Sequence, residues 1–198
     1  VPMYCTKTKQ VQPPSFVVLV MDPMYQPEYE YLVDKYPGVF ALANPGQERQ
    51  GSVENGVNQL VQLSNGKCEY VAIHDSARPL VTLEEIWNVV QDAKHDSSID
   101  KEDSKECCRA AVLGVPCKAT IKESEDGQYV QRTIPRSRLW EVHTPQVVHI
   151  PTLLQGFEKV TQEQLEVTDD VSIIEAMNLP VKITRGEYTN LKITTPED

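Results

Sequence analysis

Two short aliphatic runs constrain this chain more than any other feature of it. Ser15–Met21 (SFVVLVM) and Tyr70–His74 (YVAIH) are too short for buried helices and lack the apolar–polar alternation of a strand with one wet face. Such runs belong to strands covered on both faces, so helices must lie on either side. The intervening sequence supplies them. Gln26–Tyr36 places Tyr29, Leu32, Val33 and Tyr36 at helical spacing, and Ser52 opens a stretch with Val53, Val57, Leu60 and Val61 on one face. Thr82–Ala93 begins with Thr82 as N-cap and Glu85 at the capping-box position. Val39–Ala43 is a further short strand. This alternation predicts an α/β fold built on a mostly parallel sheet.

The second half is less regular. Residues 94–106 (KHDSSIDKEDSKE) read as a charged surface insertion, and Ala110–Val115 as a strand. Residues 116–136 form a β-hairpin arm about Asp126-Gly127, too poor in apolar side chains to stand alone. Leu153–Val160 and Asp169–Met177 are amphipathic helices, the second capped by Thr168. Val181–Thr184 and Leu191–Thr194 are expected as the last strands. Residues 1–198 form one domain. The chain opens on Val1 without a leader-like segment, and it stops at Thr195-Pro196-Glu197-Asp198, where a helix would normally start. Both ends suggest a processed form or a fragment.

Composition narrows the function. Nineteen Lys and Arg against 29 Asp and Glu give a net charge of −10, a field that repels nucleic acid. A local cluster of cations can still hold a small phosphorylated ligand, because salt screens charges beyond about 8 Å. The longest apolar run, Phe16–Met21, is far short of the roughly 20 residues of a membrane helix. Cysteines at 5, 68, 107, 108 and 117 match neither a zinc site nor a disulfide framework. No glycine-rich phosphate loop of the Walker or G-x-G-x-x-G type is present.

Four constellations remain. His74-Asp75-Ser76-Ala77-Arg78-Pro79 follows a buried strand, where ligands of open α/β sheets bind. Asp75 there can hold Mg²⁺ and Arg78 a phosphate; a turn cap with a structural ion pair explains the same residues. Pro45-Gly46-Gln47-Glu48-Arg49-Gln50-Gly51-Ser52 joins a strand to a helix, as either a ligand cradle or an ordinary turn. Thr120, Arg136 and Thr144 flank or follow the hairpin and can clamp a phosphate, whereas Arg138 reads as surface and Trp140 as core. Lys192, near the end of the chain, can reach a phosphate as a point charge.

In order and spacing, the segments PGQERQGSV, HDSARP, LGVPCKATIK, RSRLWEVHTPQ, VTDDVSIIE and NLKITTPED resemble the 2-C-methyl-D-erythritol 4-phosphate cytidylyltransferase family. The wording of AAVLGVPCKATIKE and EVTDDVSIIE is similar to plastid-type members. The resemblance implies a Rossmann-like three-layer nucleotidyltransferase fold and a homodimer joined through the β-hairpin arm. It also implies Mg²⁺-dependent cytidylyl transfer from CTP to methylerythritol phosphate, and a place in the plastid (chloroplast stroma). By the same resemblance Gly46, Ser52 and Ser76 serve the nucleotide, and Asp75 the metal and triphosphate. Arg78, Thr120, Arg136 and Thr144 then serve methylerythritol phosphate, partly across the dimer, and Lys192 lies near the reacting phosphates.

The resemblance further implies that a glycine-rich loop bearing an Arg and a Lys precedes Val1, so this chain alone is expected to be a weak or inactive enzyme. Gln47 stands where members usually carry an acid, and Pro135 replaces a common Asp. The expected chemistry suits the residue types. A phosphate oxygen is already a competent nucleophile at neutral pH, so the need is for cations and positioning, not for a general base. A nucleotidyltransferase for another polyol or sugar phosphate, or a non-catalytic dimerisation fragment, fits the same residues.

Overall fold

A computed structural model describes residues 15–95, 109–165 and 167–196. Strand β1 (Val17–Val20) pairs in parallel with β2 (Phe40–Ala43), with α1 (Glu30–Lys35) between them in sequence. Helix α2 (Arg49–Leu63) leads to β3 (Tyr70–Ile73), and α3 (Leu83–His95) follows. A second sheet has the order β3-β7-β4-β8, where β4 is Ala110–Pro116, β7 Trp140–His149 and β8 Lys182–Arg185. Strands β4 and β8 are parallel, while β7 runs antiparallel to both β3 and β4. Helices α4 (Ile150–Glu163) and α5 (Ser172–Ala176) lie between β7 and β8.

The buried strands segregate their side chains by parity, as a pleated strand must. Val71, Ala110, Val112 and Val148 join Leu60, Leu153, Phe157 and Ile174 in one core. Their neighbours Ala72, Ala111, Leu113 and Val147 join Val89, Val90 and Ala93 of α3 in a second core on the opposite face. The aliphatic run of β3 therefore means what it predicted, with Val71 and Ala72 buried on opposite faces, whereas in β1 only Val18 is buried and Val20 stays 37% exposed, because that strand lines an open cavity. At the start of α3 the Thr82 hydroxyl accepts from the Glu85 N–H (3.2 Å), and the Glu85 carboxylate accepts from the Thr82 N–H (2.9 Å). The capping box thus forms as expected.

Several expectations change. Parallel pairing holds for β1–β2 and β4–β8, but the sheets are mixed because of β7, a strand that sequence reading did not find. Pro145 hides it. A proline cannot donate to a ladder, and in a sheet interior it sits at a bulge. The β4–β7 register shifts at this point: Val112 faces Gln146 and Gly114 faces Val142, leaving His143, Thr144 and Pro145 opposite Leu113 alone. Residues 191–194 form no strand; Ile193 instead donates to the Ala77 carbonyl (2.7 Å). The Ser172 N–H is met by Asp169 (3.0 Å), not by Thr168. Trp140 is 38% exposed at the start of β7, so it is not core. Of the 94–106 insertion only Lys94 and His95, at the end of α3, lie within the described residues.

The arm is a short ladder of β5 (Lys122–Glu123) with β6 (Arg132–Thr133), and among the described residues these two strands pair only with each other. Arg132 and Glu123 form an ion pair across it.

Gly156 of α4 lies against α5 so closely that a Cβ there would meet Ile173 Cγ2 at 2.4 Å. Ile173 is fully packed and β-branched, so it cannot swing aside. Gly156→Ala should cost about 1–3 kcal/mol, read as a lower urea midpoint with an unchanged slope.

Candidate active site

The site forms where β3 ends. The chain turns there, with the Arg78 N–H closing on the Asp75 carbonyl (3.0 Å), and the Asp75 side chain emerges 18% exposed. Two cations reach it from distant parts of the sequence. Arg49, the first residue of α2, donates from Nη1 to Asp75 Oδ1 (3.1 Å), and Lys192 Nζ donates to Oδ2 (2.9 Å). Arg49 is also held from behind. Its Nη2 donates to Asp170 Oδ2 (2.6 Å), a carboxylate only 3% exposed. The result is an alternating chain of charge, Asp170–Arg49–Asp75–Lys192.

These surroundings shift the acids in opposite directions. Burial works against ionisation of Asp75, but the Lys192 hydrogen bond and the Arg49 charge outweigh it and hold the carboxyl below its usual range. Burial dominates at Asp170 and pushes it up to about 6, with Arg49 pulling the other way. Asp170 and Asp75 together keep Arg49 more firmly protonated than usual in spite of desolvation.

Thr144 is placed by the bulge. Displaced from the ladder, its Oγ1 accepts from the Asp75 N–H (3.0 Å) and contacts His74 Nδ1 (3.0 Å). His74 Nε2 faces the Arg78 carbonyl (3.1 Å), which can only accept, so Nε2 carries the proton. Nδ1 then accepts from the threonine hydroxyl, and burial lowers the His74 pKa, keeping the ring neutral. Arg78 donates from Nη1 to the Asn190 carbonyl (2.7 Å), and burial lowers its pKa against the opposing pull of Asp75.

A cavity of about 420 Å³ opens beside this cluster, between β1 and β3, with Arg49, Ser52, Asp75 and Ser76 in its wall. At its rim the loop before α2 folds back tightly. The Gly46 N–H donates to Ser52 Oγ (3.0 Å), which donates in turn to the Glu48 carbonyl (3.1 Å). A Cβ on Gly46 would stand 2.5 Å from the Gly51 carbonyl carbon and 2.8 Å from the Ser52 nitrogen. Only glycine fits there, because both obstacles are main chain.

The structure therefore gathers Asp75, Ser76, Thr144, Lys192, Gly46 and Ser52 about one opening, with Arg78 just behind. Thr120 and Arg136 stay apart. Both are exposed at the base of the arm, where Arg136 donates to the Lys118 carbonyl (2.9 Å). Sequence reasoning missed Arg49, Asp170 and Asn190 as members of the site. Arg49 and Asp170 each lie inside a quoted motif, but a distant ion pair leaves no local trace.

Because Asp170 has a raised pKa in the folded protein, its contribution to stability is fully present below its unfolded value near 4. It is lost as pH rises through about 6. Between pH 4.5 and 7 the protein should lose about 1–3 kcal/mol relative to Asp170→Asn, measured by urea unfolding of both at each pH. Parallel curves would refute this.

Comparison with known proteins shows the family. Residues 7–198 match the model of the family described as IspD: 2-C-methyl-D-erythritol 4-phosphate cytidylyltransferase. The chloroplastic enzyme of that name from Oryza sativa subsp. japonica is 45% identical over 182 residues, covering 92% of this chain and 56% of the rice protein. The chain thus spans little more than half the length of that relative. The protein of the same name from Geobacillus thermodenitrificans is 39% identical over 184 residues, covering 92% of this chain and 73% of its own length. Among solved structures, 4-diphosphocytidyl-2C-methyl-D-erythritol synthase from Anaerococcus prevotii superposes with a TM-score of 0.78 at 25% identity, covering 93% of this chain and 75% of that one. The 2-C-methyl-D-erythritol 4-phosphate cytidylyltransferase of Thermus thermophilus gives 0.71 at 25% identity, covering 93% and 78%. The Rossmann-like nucleotidyltransferase fold is shared with these structures, and the chain belongs to the 2-C-methyl-D-erythritol 4-phosphate cytidylyltransferase family.

Proposed function

We propose that the protein transfers a cytidylyl group from CTP to 2-C-methyl-D-erythritol 4-phosphate, with release of pyrophosphate, as a step in isoprenoid biosynthesis. The observation that carries this reading is the meeting of Arg49, Asp75 and Lys192 beside the Gly46–Ser52 cradle, in a chain of this family. A phosphate oxygen of the acceptor attacks the α-phosphorus of CTP. The bond from that phosphorus to the bridging oxygen breaks, and pyrophosphate departs with the electron pair. No proton has to be removed from the nucleophile, whose second pKa is about 6. This matches a site whose histidine is neutral and tied to Thr144 and Arg78.

In this reading the tight loop at Gly46 leaves main-chain groups and the Ser52 hydroxyl to meet the nucleotide, with Ser76 nearby in the cavity wall. Lys192 and Arg78 neutralise the phosphates brought together, and Thr144 fixes the turn that presents Asp75. Asp75 is a hard oxygen donor at the mouth of the cavity, which suits Mg²⁺ held by one carboxylate with phosphate oxygens and waters. Bound there, the ion would disperse charge on the leaving phosphates.

The arm supports a homodimer. Tyr129 is 76% exposed and Val130 60% on a hairpin that pairs only with itself, so a second subunit has apolar surface to cover. Thr120 and Arg136 then complete the acceptor clamp of the partner. A plastid location is supported by the chloroplastic rice relative.

In the full-length protein Arg78→Ala and Lys192→Ala should each remove charge-assisted contacts worth about 1.5–3 kcal/mol, a loss of about ten- to a hundredfold in CTP-dependent pyrophosphate release. Preference for ribitol phosphate or a sugar phosphate in an acceptor panel would overturn the assigned substrate. Gly46→Ala, measured by calorimetric titration with CTP, should weaken nucleotide binding by about tenfold or more.

A further inference from the structure

Residues 186–193 cross behind the site and are tied down along their length. The Gly186 N–H donates to the Gly114 carbonyl (2.9 Å), and the Glu187 N–H to Glu85 Oε1 (2.8 Å). Tyr188 Oη donates to the Pro116 carbonyl (2.7 Å), and the Ile193 N–H to the Ala77 carbonyl (2.7 Å). Asn190 lies in the middle of this segment and is 0% exposed. Its carbonyl accepts from Arg78 Nη1 (2.7 Å), and its side-chain Nδ2 donates to the Thr144 carbonyl (2.9 Å). Two residues later comes Lys192, bound to Asp75.

From these contacts we infer that Asn190 is a positioning residue, which sets Arg78, Thr144 and Lys192 in one spatial register for the acceptor phosphate. This deepens the cytidylyl-transfer reading and rests on it for the identity of that phosphate. Asparagine suits the place. A buried amide can donate to a strand carbonyl without bringing a charge beside Arg78, whereas an aspartate would lose the donor and aim an oxygen at the Thr144 carbonyl. Arg78 Nε and Asn190 Oδ1 are both buried without a hydrogen-bond partner among the described residues. A donor and an acceptor thus remain on two residues already joined through Arg78 Nη1 and the Asn190 main-chain carbonyl.

The test uses Asn190→Asp, Asn190→Ser and Asn190→Ala in the full-length protein, with Arg78→Ala and the Asn190→Ser/Arg78→Ala double variant. The expected result is a ten- to hundredfold fall in kcat/KM for the acceptor phosphate, larger than the loss of CTP affinity, which falls less because Arg78 serves the acceptor. The loss should largely disappear when Arg78 is already alanine, as for residues acting through one another. Parallel loss of CTP and acceptor binding, full additivity with Arg78→Ala, or an unchanged kcat/KM in the folded variants would each overturn the inference. If Asn190→Ala fails to fold, the Ser and Asp variants carry the comparison. Failure of the function reads differently: the parent protein then makes no pyrophosphate with this acceptor. Amide exchange at 75–78 and 190–193 still decides the positioning role, rising in Asn190→Ser if it holds and unchanged if it does not.

Discussion

The site depends on one carboxylate shared by two cations. Asp75 lies at the end of β3, Arg49 at the start of α2 and Lys192 near the far end of the chain, and nothing but the fold brings them together. Each pair is partly open to water, and such pairs add little to stability on their own. Their value is positional. An Arg and a Lys with long, flexible side chains are held at defined points before any ligand arrives. Asp170 strengthens this by gripping Arg49 from a buried position, at a desolvation cost that appears in its raised pKa. In a chain of net charge −10, the arrangement keeps cations localised where the overall field opposes anions.

Main-chain irregularity does the rest of the placing. A regular β7 would keep Thr144 in the ladder opposite β4. The bulge releases it, and its hydroxyl fixes both the Asp75 N–H and the His74 ring. The segment after β8 follows the same pattern. It makes no ladder, yet it is fastened by six separate hydrogen bonds and delivers Lys192 to Asp75. A β-strand at 191–194 would have satisfied the same backbone groups within a sheet and carried the lysine elsewhere.

Much of this was legible in the residue pattern, and the rest was hidden for identifiable reasons. The aliphatic runs announced β1 and β3 as strands, and Thr82 with Glu85 announced the start of α3, because these signals are local; that one face of β1 lines a cavity left no such trace. Strand β7 was not legible because Pro145 interrupts a run that packing overrides. At 191–194 the alternation of Leu191 and Ile193 imitated a strand, although both side chains stay about half exposed. Asp75, Arg78 and Lys192 stood out through their motifs. Arg49 and Asp170, 121 residues apart, did not, since an ion pair at that separation exists only after folding.

Charge bookkeeping explains why the site needs more than the cluster at its centre. Asp170, Arg49, Asp75 and Lys192 sum to zero, so together they orient a ligand but do not attract a polyanion. Net positive charge has to come from groups without an acidic partner. Arg78 is one: among the described residues it forms no ion pair, and its guanidinium rests on a neutral carbonyl. Arg136 is another, exposed on the arm and, among the described residues, likewise bound to a carbonyl with no ion pair. On the proposed reading, a triphosphate and a phosphomonoester must meet in this space, bringing more negative charge than two arginines can balance. A divalent cation at Asp75 would both add charge and free Arg49 and Lys192 from that carboxylate, turning a neutral resting cluster into a cationic one as the substrates bind. The pairing of Asp75 with two cations is then a way of storing positive charge without exposing it.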